Sequence, residues 1–532
     1  MMEKPKDDLV KPENIKKQDK FVSFHLNVPT VDLQQVEVQQ KALAIIPLSM
    51  AKTYNILPIT LEGDELTVVS EYPDDLQLMD TLALLTKKRI KMVIPSNGNL
   101  RDTINSNYET TTIADGALDG ILDDIVAQAQ AKETEEPTEL LEIATEAPII
   151  KAVDWILTQA VKQRASDIHI VPEQNMLKVR YRIDGVLHDS ASLPISLNTA
   201  ILTRIKVVAN MNIAERRRAQ DGSFAGKYDN KDIDFRVATI GTSWGESVVM
   251  RVLDKSFNLF KLEEIGMPQY IRETYATCLQ SPFGMIIISG PTGSGKTTTL
   301  YASLLTLNSD EMNIMSIEDP IEYKFRGVRQ IQVNFMAGIN FASGLRAAMR
   351  MDPDVILVGE IRDEETARTA VTASLTGHLV LSSIHANDSV GALVRLVDLG
   401  VEPFLVTSAV IATASQRLVR RVCPKCAELK EASPSDALAY KQITGKERNE
   451  FHYGKGCSHC SFTGFRGRIG VFEVLAVTDS IRSLIARQAG SSEIKAQAMK
   501  DGMLPMRHHG MILAKEGVTT PGEVARNVFT IG

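Results

Sequence analysis

Short, unbroken apolar runs mark the middle of this chain. Met285 to Ile288, Val355 to Val358 and Leu379 to Leu381 are consecutive aliphatic residues, the signature of strands buried on both faces. From residue 259 to the C-terminus such runs alternate with segments of helical spacing, an order that predicts a mostly parallel sheet covered by helices on both sides. Upstream, apolar residues recur at helical intervals from Ile149 to Val161. Strands are expected next at Asp167 to Val171 and Leu177 to Ile183, with a turn at Asp184-Gly185, giving a second α/β domain over residues 147–258. Nearer the N-terminus, strands are expected at Ile56 to Thr60 and Glu65 to Ser70 around Glu62-Gly63-Asp64. With a helix from Leu76 to Thr86 they make a small α/β domain over 21–109.

Two stretches lack any such pattern. Residues 1–20 mix lysines with acids and read as a solvated tail, without the apolar centre of a secretory signal. Residues 110–146 are acidic and rich in Ala and Thr, with the run Glu133 to Glu136, which is the composition of a flexible tether. No apolar run approaches the ~18 residues a membrane helix needs, so a cytoplasmic protein with no membrane span is expected. The net charge of -7 and a pI near 5.8 argue against broad nucleic-acid binding, which depends on many lysines and arginines neutralising phosphates.

The strongest chemical signal is Gly290-Pro291-Thr292-Gly293-Ser294-Gly295-Lys296-Thr297, followed by Thr298. It stands after the apolar strand Met285 to Ser289 and opens a helical segment reaching Leu305. Its glycines let backbone N–H groups turn inward around phosphate oxygens, and the helix N-terminus adds a favourable dipole. Lys296 is placed to reach the β and γ phosphates of ATP, and Thr297 to offer its hydroxyl to Mg2+. The strand Asp354 to Val358 runs into Gly359-Glu360, which sets a carboxylate at the carboxyl end of a strand, where α/β sheets bind ligands. Glu360 is the candidate for polarising the attacking water; the alternative is a cap on the following segment.

Ile317-Glu318-Asp319-Pro320-Ile321-Glu322 follows a short apolar stretch, and Pro320 is expected to stop the strand so that the acids lie on a loop. An acidic loop alone is ordinary solvated surface; its place between the two strands already named makes Glu318 a candidate for metal-water coordination. His378 and His385 bracket the strand Leu379 to Leu381. Each is either a structural histidine or a sensor of the γ-phosphate.

Of the five cysteines, Cys423/Cys426 and Cys457/Cys460 form two C-x-x-C pairs. In a reducing compartment two such pairs fit a structural zinc of four thiolates, leaving no coordination position for catalysis. Cys278 stands apart and is expected to be core filler.

In this order the motifs resemble the type II secretion and type IV pilus assembly ATPase family, the secretion ATPase superfamily. The resemblance runs from about Ala147 to the C-terminus through Ser166-Asp-Ile-His169, Arg180-Tyr-Arg-Ile-Asp-Gly185, Gln220-Asp-Gly222 and the phosphate-binding motif. It continues through the acidic loop, Gly359-Glu-Ile-Arg-Asp363, the histidine segment, Gln416-Arg-Leu418, the cysteine module and Thr463-Gly-Phe-Arg-Gly467. It implies an α/β multidomain chain: a PAS-like domain over 147–258 and a RecA-like P-loop NTPase domain over 259–532 that includes a zinc module at 420–475 and a C-terminal helical part at 476–532. It also implies that 21–109 docks on the inner-membrane part of the machine. ATP would bind with Mg2+ between the second domain and the P-loop domain of a homo-hexamer that drives pilus extension through an inner-membrane platform protein. Type II secretion and DNA uptake are the close alternatives, and a DNA-translocating motor the distant one. Arg236 and Arg251 match family arginines that approach phosphates, and Arg346, Arg350 and Arg362 are further candidates. The cysteine module points to the assembly branch. Ala219, Ser223 and Ala386 depart from the usual pattern without touching Lys296 or Glu360.

Overall fold

A computed structural model of the chain describes most of residues 29–104, residue 145, and residues 147–528 apart from 255–260 and 309. The expected tail over 1–20 and all of the expected tether over 110–146 except Thr145 lie outside the described residues. The chain divides into two compact units, residues 1–120 and 121–532.

In the first unit, strands β1 (Thr30–Asp32), β2 (Ile56–Glu62), β3 (Glu65–Ser70) and β4 (Arg89–Asn97) form one sheet in the order β1-β4-β3-β2, with a short helix, α1 (Gln40–Leu43). β2 and β3 pair antiparallel around Gly63, as expected, whereas β4 joins β3 and β1 in parallel. Of the expected Leu76 to Thr86 helix, residues 78, 79, 82, 83 and 86 are described and are helical. Leu78 and Leu82 enter the core with Ile56, Leu66 and Val68.

The second unit opens with α2 (Ala147–Lys162), whose buried face carries Ile149, Val153, Ile156 and Ala160. It covers an antiparallel sheet of β5 (Ala165–Pro172), β6 (Met176–Ile183), β7 (Val186–Pro194), β8 (Gln220–Tyr228), β9 (Lys231–Thr242) and β10 (Gly245–Asp254), in the order β7-β6-β5-β10-β9-β8. Helix α3 (Asn198–Val208) packs on α2 and β10. The fully buried Tyr181 donates its hydroxyl to Ile156 O at 2.8 Å, fixing α2 on the sheet. Alternation along β9 turns Ile233, Phe235 and Val237 into the core, so that Arg236 must point to the other face.

The remainder is the anticipated sheet. β11 (Gly284–Ser289), β12 (Ile314–Glu318), β13 (Val328–Gln332), β14 (Val355–Val358), β15 (Leu379–Ile384) and β16 (Val410–Val422) run parallel in the order β13-β12-β14-β15-β11-β16, and β19 (Phe465–Ala476) closes the edge antiparallel to β16. Every residue of β11, β12, β14 and β15 is buried, which is why their sequences show no alternation. On one face Ile286 and Ile288 meet α4 (Gln269–Leu279) and α5 (Lys296–Leu307). On the other Met285 and Ile287 meet α6 (Phe341–Ala348), α7 (Glu364–Leu375) and α8 (Ser389–Asp398). Short α9 (Pro403–Ala409) leads into β16.

Between β16 and β19 the chain makes an excursion: β17 (Ala427–Glu431) pairs with β18 (Glu450–Gly454) across α10 (Pro434–Thr444). The C-terminal helices α11 (Asp479–Ala486), α12 (Ser491–Lys500), α13 (Met506–Lys515) and α14 (Pro521–Asn527) complete the unit. Met511, Leu513 and Val524 of α13 and α14 share a core with Val419, Val471 and Phe451.

Candidate nucleotide and metal sites

The loop from Gly290 to Gly295 joins the carboxyl end of β11 to α5. Its shape depends on glycine at two points. Gly290 has φ 150°, and a Cβ there would lie 2.5 Å from Ser294 Oγ and 2.7 Å from Gln416 O. Gly295 has φ 91° and starts α5 with no side chain capping the helix, leaving N–H groups of the first turn for an anion. Pro291, Thr292, Gly293 and Thr297 are exposed, Ser294 is buried, and Lys296 and Thr298 are half-buried. Lys296 Nζ donates to Gly290 O at 2.9 Å and Pro291 O at 3.1 Å. Burial lowers its pKa, Glu360 opposes that, and Arg417 adds to it.

Glu360 follows β14 on backbone held from both sides. Gly359 N donates to Ile317 O at 2.8 Å, and Ser383 Oγ to Gly359 O at 2.8 Å. Its carboxylate, 16% exposed, contacts Arg362 Nη2 at 2.5 Å and His385 Nε2 at 3.7 Å. Burial, with Lys296 next in effect, lowers the His385 pKa while Glu360 opposes that shift. Lys296, Glu360, Arg362 and His385 thus form one cluster at the carboxyl ends of β11, β14 and β15.

Other expected residues stand elsewhere. His378 precedes β15 at the opposite end of the sheet, where its carbonyl accepts from Gly284 N at 3.1 Å and its Nδ1 lies 2.9 Å from Ala373 O. A six-residue strand, about 20 Å, separates it from His385. The acidic segment also differs from expectation, because β12 continues through Glu318 before Pro320 ends it. Glu318 is 4% exposed and accepts from Tyr301 Oη, from Ser316 Oγ at 2.6 Å and from Gln330 Nε2 at 3.0 Å. A buried carboxylate is tolerated there because donors surround it. The exposed work of the segment falls to Glu322, which takes both arms of Arg236 at 3.3 and 2.9 Å. Arg251 meets Asp167 at 3.4 Å, and Arg346 meets Glu365 at 2.9 Å.

Sequence reasoning gave no role to Gln416 of β16, which is 1% exposed and bonded to both Ser294 and Thr299. The available signal was Gln416-Arg-Leu418, one of the segments that carry the family resemblance. Tyr301, the partner of Glu318, carried no signal at all.

The four paired cysteines come together as expected, all as free thiols. Their sulfurs lie within 4.8 Å of one another, with Cys423 to Cys457 at 3.9 Å and Cys460 to both Cys426 and Cys457 at 3.8 Å. A tetrahedral zinc with Zn–S of about 2.3 Å spaces its sulfurs about 3.8 Å apart, so the donor set fits that ion. Cys457 N also donates to Cys460 Sγ at 3.2 Å. Cys278 is half-buried against the core of α4, and burial pushes its thiol pKa up.

With this geometry in view, the comparisons with known proteins are decisive. Residues 142–526 match the family described as Type II/IV secretion system protein. The chain belongs to that family. A MshEN domain matches residues 26–114, largely the first unit. Among relatives within the Type II/IV secretion system family, the chain is similar to the type IV pilus assembly ATPase PilB of Myxococcus xanthus. The two are 38% identical over 95% of this chain and 90% of the relative. It is 40% identical to type II secretion system protein E of Pectobacterium carotovorum, over 91% of this chain and 96% of the relative. Among solved structures, the ATPase DotB of Yersinia pseudotuberculosis shares the fold, with a TM-score of 0.54 at 18% identity over 72% of this chain and 94% of that one. The RecA-like P-loop architecture expected of the family is the one these structures share.

Proposed function

We propose that this chain is an ATP-hydrolysing motor of type IV pilus assembly. It works as a homo-hexamer at the cytoplasmic face of the inner membrane and passes its movement to an inner-membrane platform protein. Family membership and relatives named as pilus assembly ATPases support the reading. No described helix is long and apolar enough to cross a membrane.

The observation that carries the chemistry is Glu360, held beside Lys296 and His385 at the carboxyl end of the sheet. Amides of Gly290 to Gly295 and the first turn through Thr298 cradle the phosphates, and Lys296 leaves its carbonyl partners for the β and γ phosphates of ATP. Glu360 orients the attacking water and takes its proton, while His385 hydrogen-bonds at the terminal phosphate. Glu318 holds α5 to β12 through Tyr301. Arg236 and Arg251 stand on the open face of the second domain's sheet, where release from Glu322 and Asp167 frees a guanidinium for phosphate. Thr297 would hold the Mg2+ that accompanies ATP, and that ion would neutralise phosphate charge. The four cysteines hold zinc for structure alone.

A type II secretion motor is the second reading, favoured by relatives named type II secretion system protein E. Loss of surface pili in a deletion strain supports the first reading, and loss of secreted proteins with pili intact supports the second. For the site itself, Lys296→Ala should lower kcat/KM for ATP by about 100-fold or more, and Glu360→Gln should lower kcat about 100-fold while ATP still binds. Undiminished turnover in either folded variant rejects the assignment.

A further inference from the structure

The phosphate loop is held from behind by one buried side chain. Gln416 Nε2 donates to Ser294 O at 2.7 Å, and its Oε1 accepts from Thr299 Oγ1 at 2.7 Å. These bonds fix the amide's orientation, because flipping it would press Oε1 against the Ser294 carbonyl, two acceptors with no proton between them. The backbone of Gln416 is braced as well. Its carbonyl accepts from Arg417 Nη1 at 3.1 Å, and Arg417 Nη2 donates to Asn387 O at 3.1 Å.

We propose that Gln416 is a positioning residue for ATP binding, aiming the Gly295 amide at the phosphates. In a trans peptide the C=O and the following N–H point in opposite directions. Holding Ser294 O toward β16 therefore turns the Gly295 N–H away from β16, to the side where the loop's amides gather around a phosphate oxygen. Glycine at 295 lets the two approach, since a Cβ there would lie 3.0 Å from Gln416 Nε2. Thr299 completes the device: its own N–H donates to Gly295 O at 3.1 Å while its hydroxyl holds Gln416. The peptide plane before Gly295 is thus set by the Gln416 side chain, and the one after it by the main chain of the residue that holds Gln416. The binding energy at stake is that of amides organised before the ligand arrives, so the loss falls on affinity more than on turnover.

The inference rests on the assignment of Gly290 to Thr298 as the ATP site, and the test separates the two. Calorimetric binding of ATP and steady-state hydrolysis are measured on the full chain. In Gln416→Glu the carboxylate still accepts from Thr299 but sets an acceptor against Ser294 O. Its Kd for ATP should rise about 10-fold or more, with kcat at saturating ATP within about threefold of wild type. Thr299→Val, which leaves Gln416 free to rotate, should raise Kd in the same direction by about threefold. It carries the test if Gln416→Glu fails to fold. Folded variants that bind ATP within twofold of wild type overturn the proposal, as does a fall in kcat with unchanged Kd. Lys296→Ala is the control. Full ATP affinity there rejects the site itself, whereas lost affinity there beside full affinity in Gln416→Glu rejects only the role of Gln416.

Discussion

The phosphate loop and the four-cysteine module hang from neighbouring strands of one sheet, β11 and β16, yet they are held in shape in opposite ways. The loop is closed by protein groups bonding one another, with Lys296 on two loop carbonyls and Gln416 on Ser294. Its form precedes any ligand. In the module, four sulfurs face each other, three of their separations being 3.8 to 3.9 Å, and as thiolates they repel at that spacing. Their arrangement fits a cation at the centre. The first site is therefore a receptor waiting on a finished fold, and the second is a part of the fold itself.

The sharpest way to break this contrast is to remove the metal. In Cys423→Ser, zinc measured by metal analysis should fall from one per chain to almost none, and limited proteolysis should open residues 423–464. The energy lost approaches the ~10 kcal/mol scale of structural zinc. The Kd for ATP should move less than about threefold, as for distant independent sites. A tenfold weakening of ATP binding in the metal-free chain would join what the contrast separates.

A smaller effect comes from the layer behind β19, which needs no ligand. His509 is fully buried, and its Nδ1 accepts from Phe472 N at 2.9 Å. Burial lowers its pKa to about 4 from an ordinary 6.5. Between those values the folded chain binds fewer protons than the unfolded one. Stability from this group is thus complete above pH 6.5 and declines as pH falls toward 4, by about 3 kcal/mol in all. His509→Asn, which keeps an acceptor, should flatten that part of the pH profile in urea unfolding, with zinc or without. An unchanged slope would remove His509 as the cause.

The smallest effect belongs to Arg236 and Glu322, paired at 2.9 Å but with side chains 36% and 28% exposed. A double-mutant cycle with Arg236→Ala and Glu322→Gln should give a coupling of about 1 kcal/mol or less that fades with salt. A salt-insensitive coupling of several times that size would make the contact a structural joint.

The parallel sheet was legible because strands buried on both faces carry unbroken apolar runs, as β11, β14 and β15 do at Met285 to Ile288, Val355 to Val358 and Leu379 to Leu381. The phosphate loop was legible because its turns demand glycine at 290 and 295, and the metal module because ligand pairs keep a fixed spacing. Strands β7 to β10 were not read. β8 alternates between half-buried and exposed positions without one fully buried residue, so it has no apolar period to find. His378 and His385 look equivalent in sequence, and only the direction and register of β15 decide which one reaches Glu360. Glu318 carries the same lesson, since a carboxylate sunk among Tyr301, Ser316 and Gln330 reads in sequence like any surface acid. Gln416 was hidden because its partners lie more than a hundred residues away.

The second domain meets the ATPase core at two unlike corners. At one, Arg236 grips Glu322 in partial contact with water. At the other, Asp184 in the β6–β7 turn accepts from Gly467 N at 2.7 Å, with Arg164 and Arg468 at 3.8 and 3.9 Å and only 13% of its side chain exposed. The arginines at both corners are partly exposed, at 36% for Arg236, 43% for Arg164 and 38% for Arg468, so rising ionic strength screens the ion pairs at both, while the Gly467 amide bond to Asp184 is the contact that depends least on it. Salt therefore leaves the second domain tied to the core chiefly by a main-chain amide, at the one corner that has such a bond among the described residues.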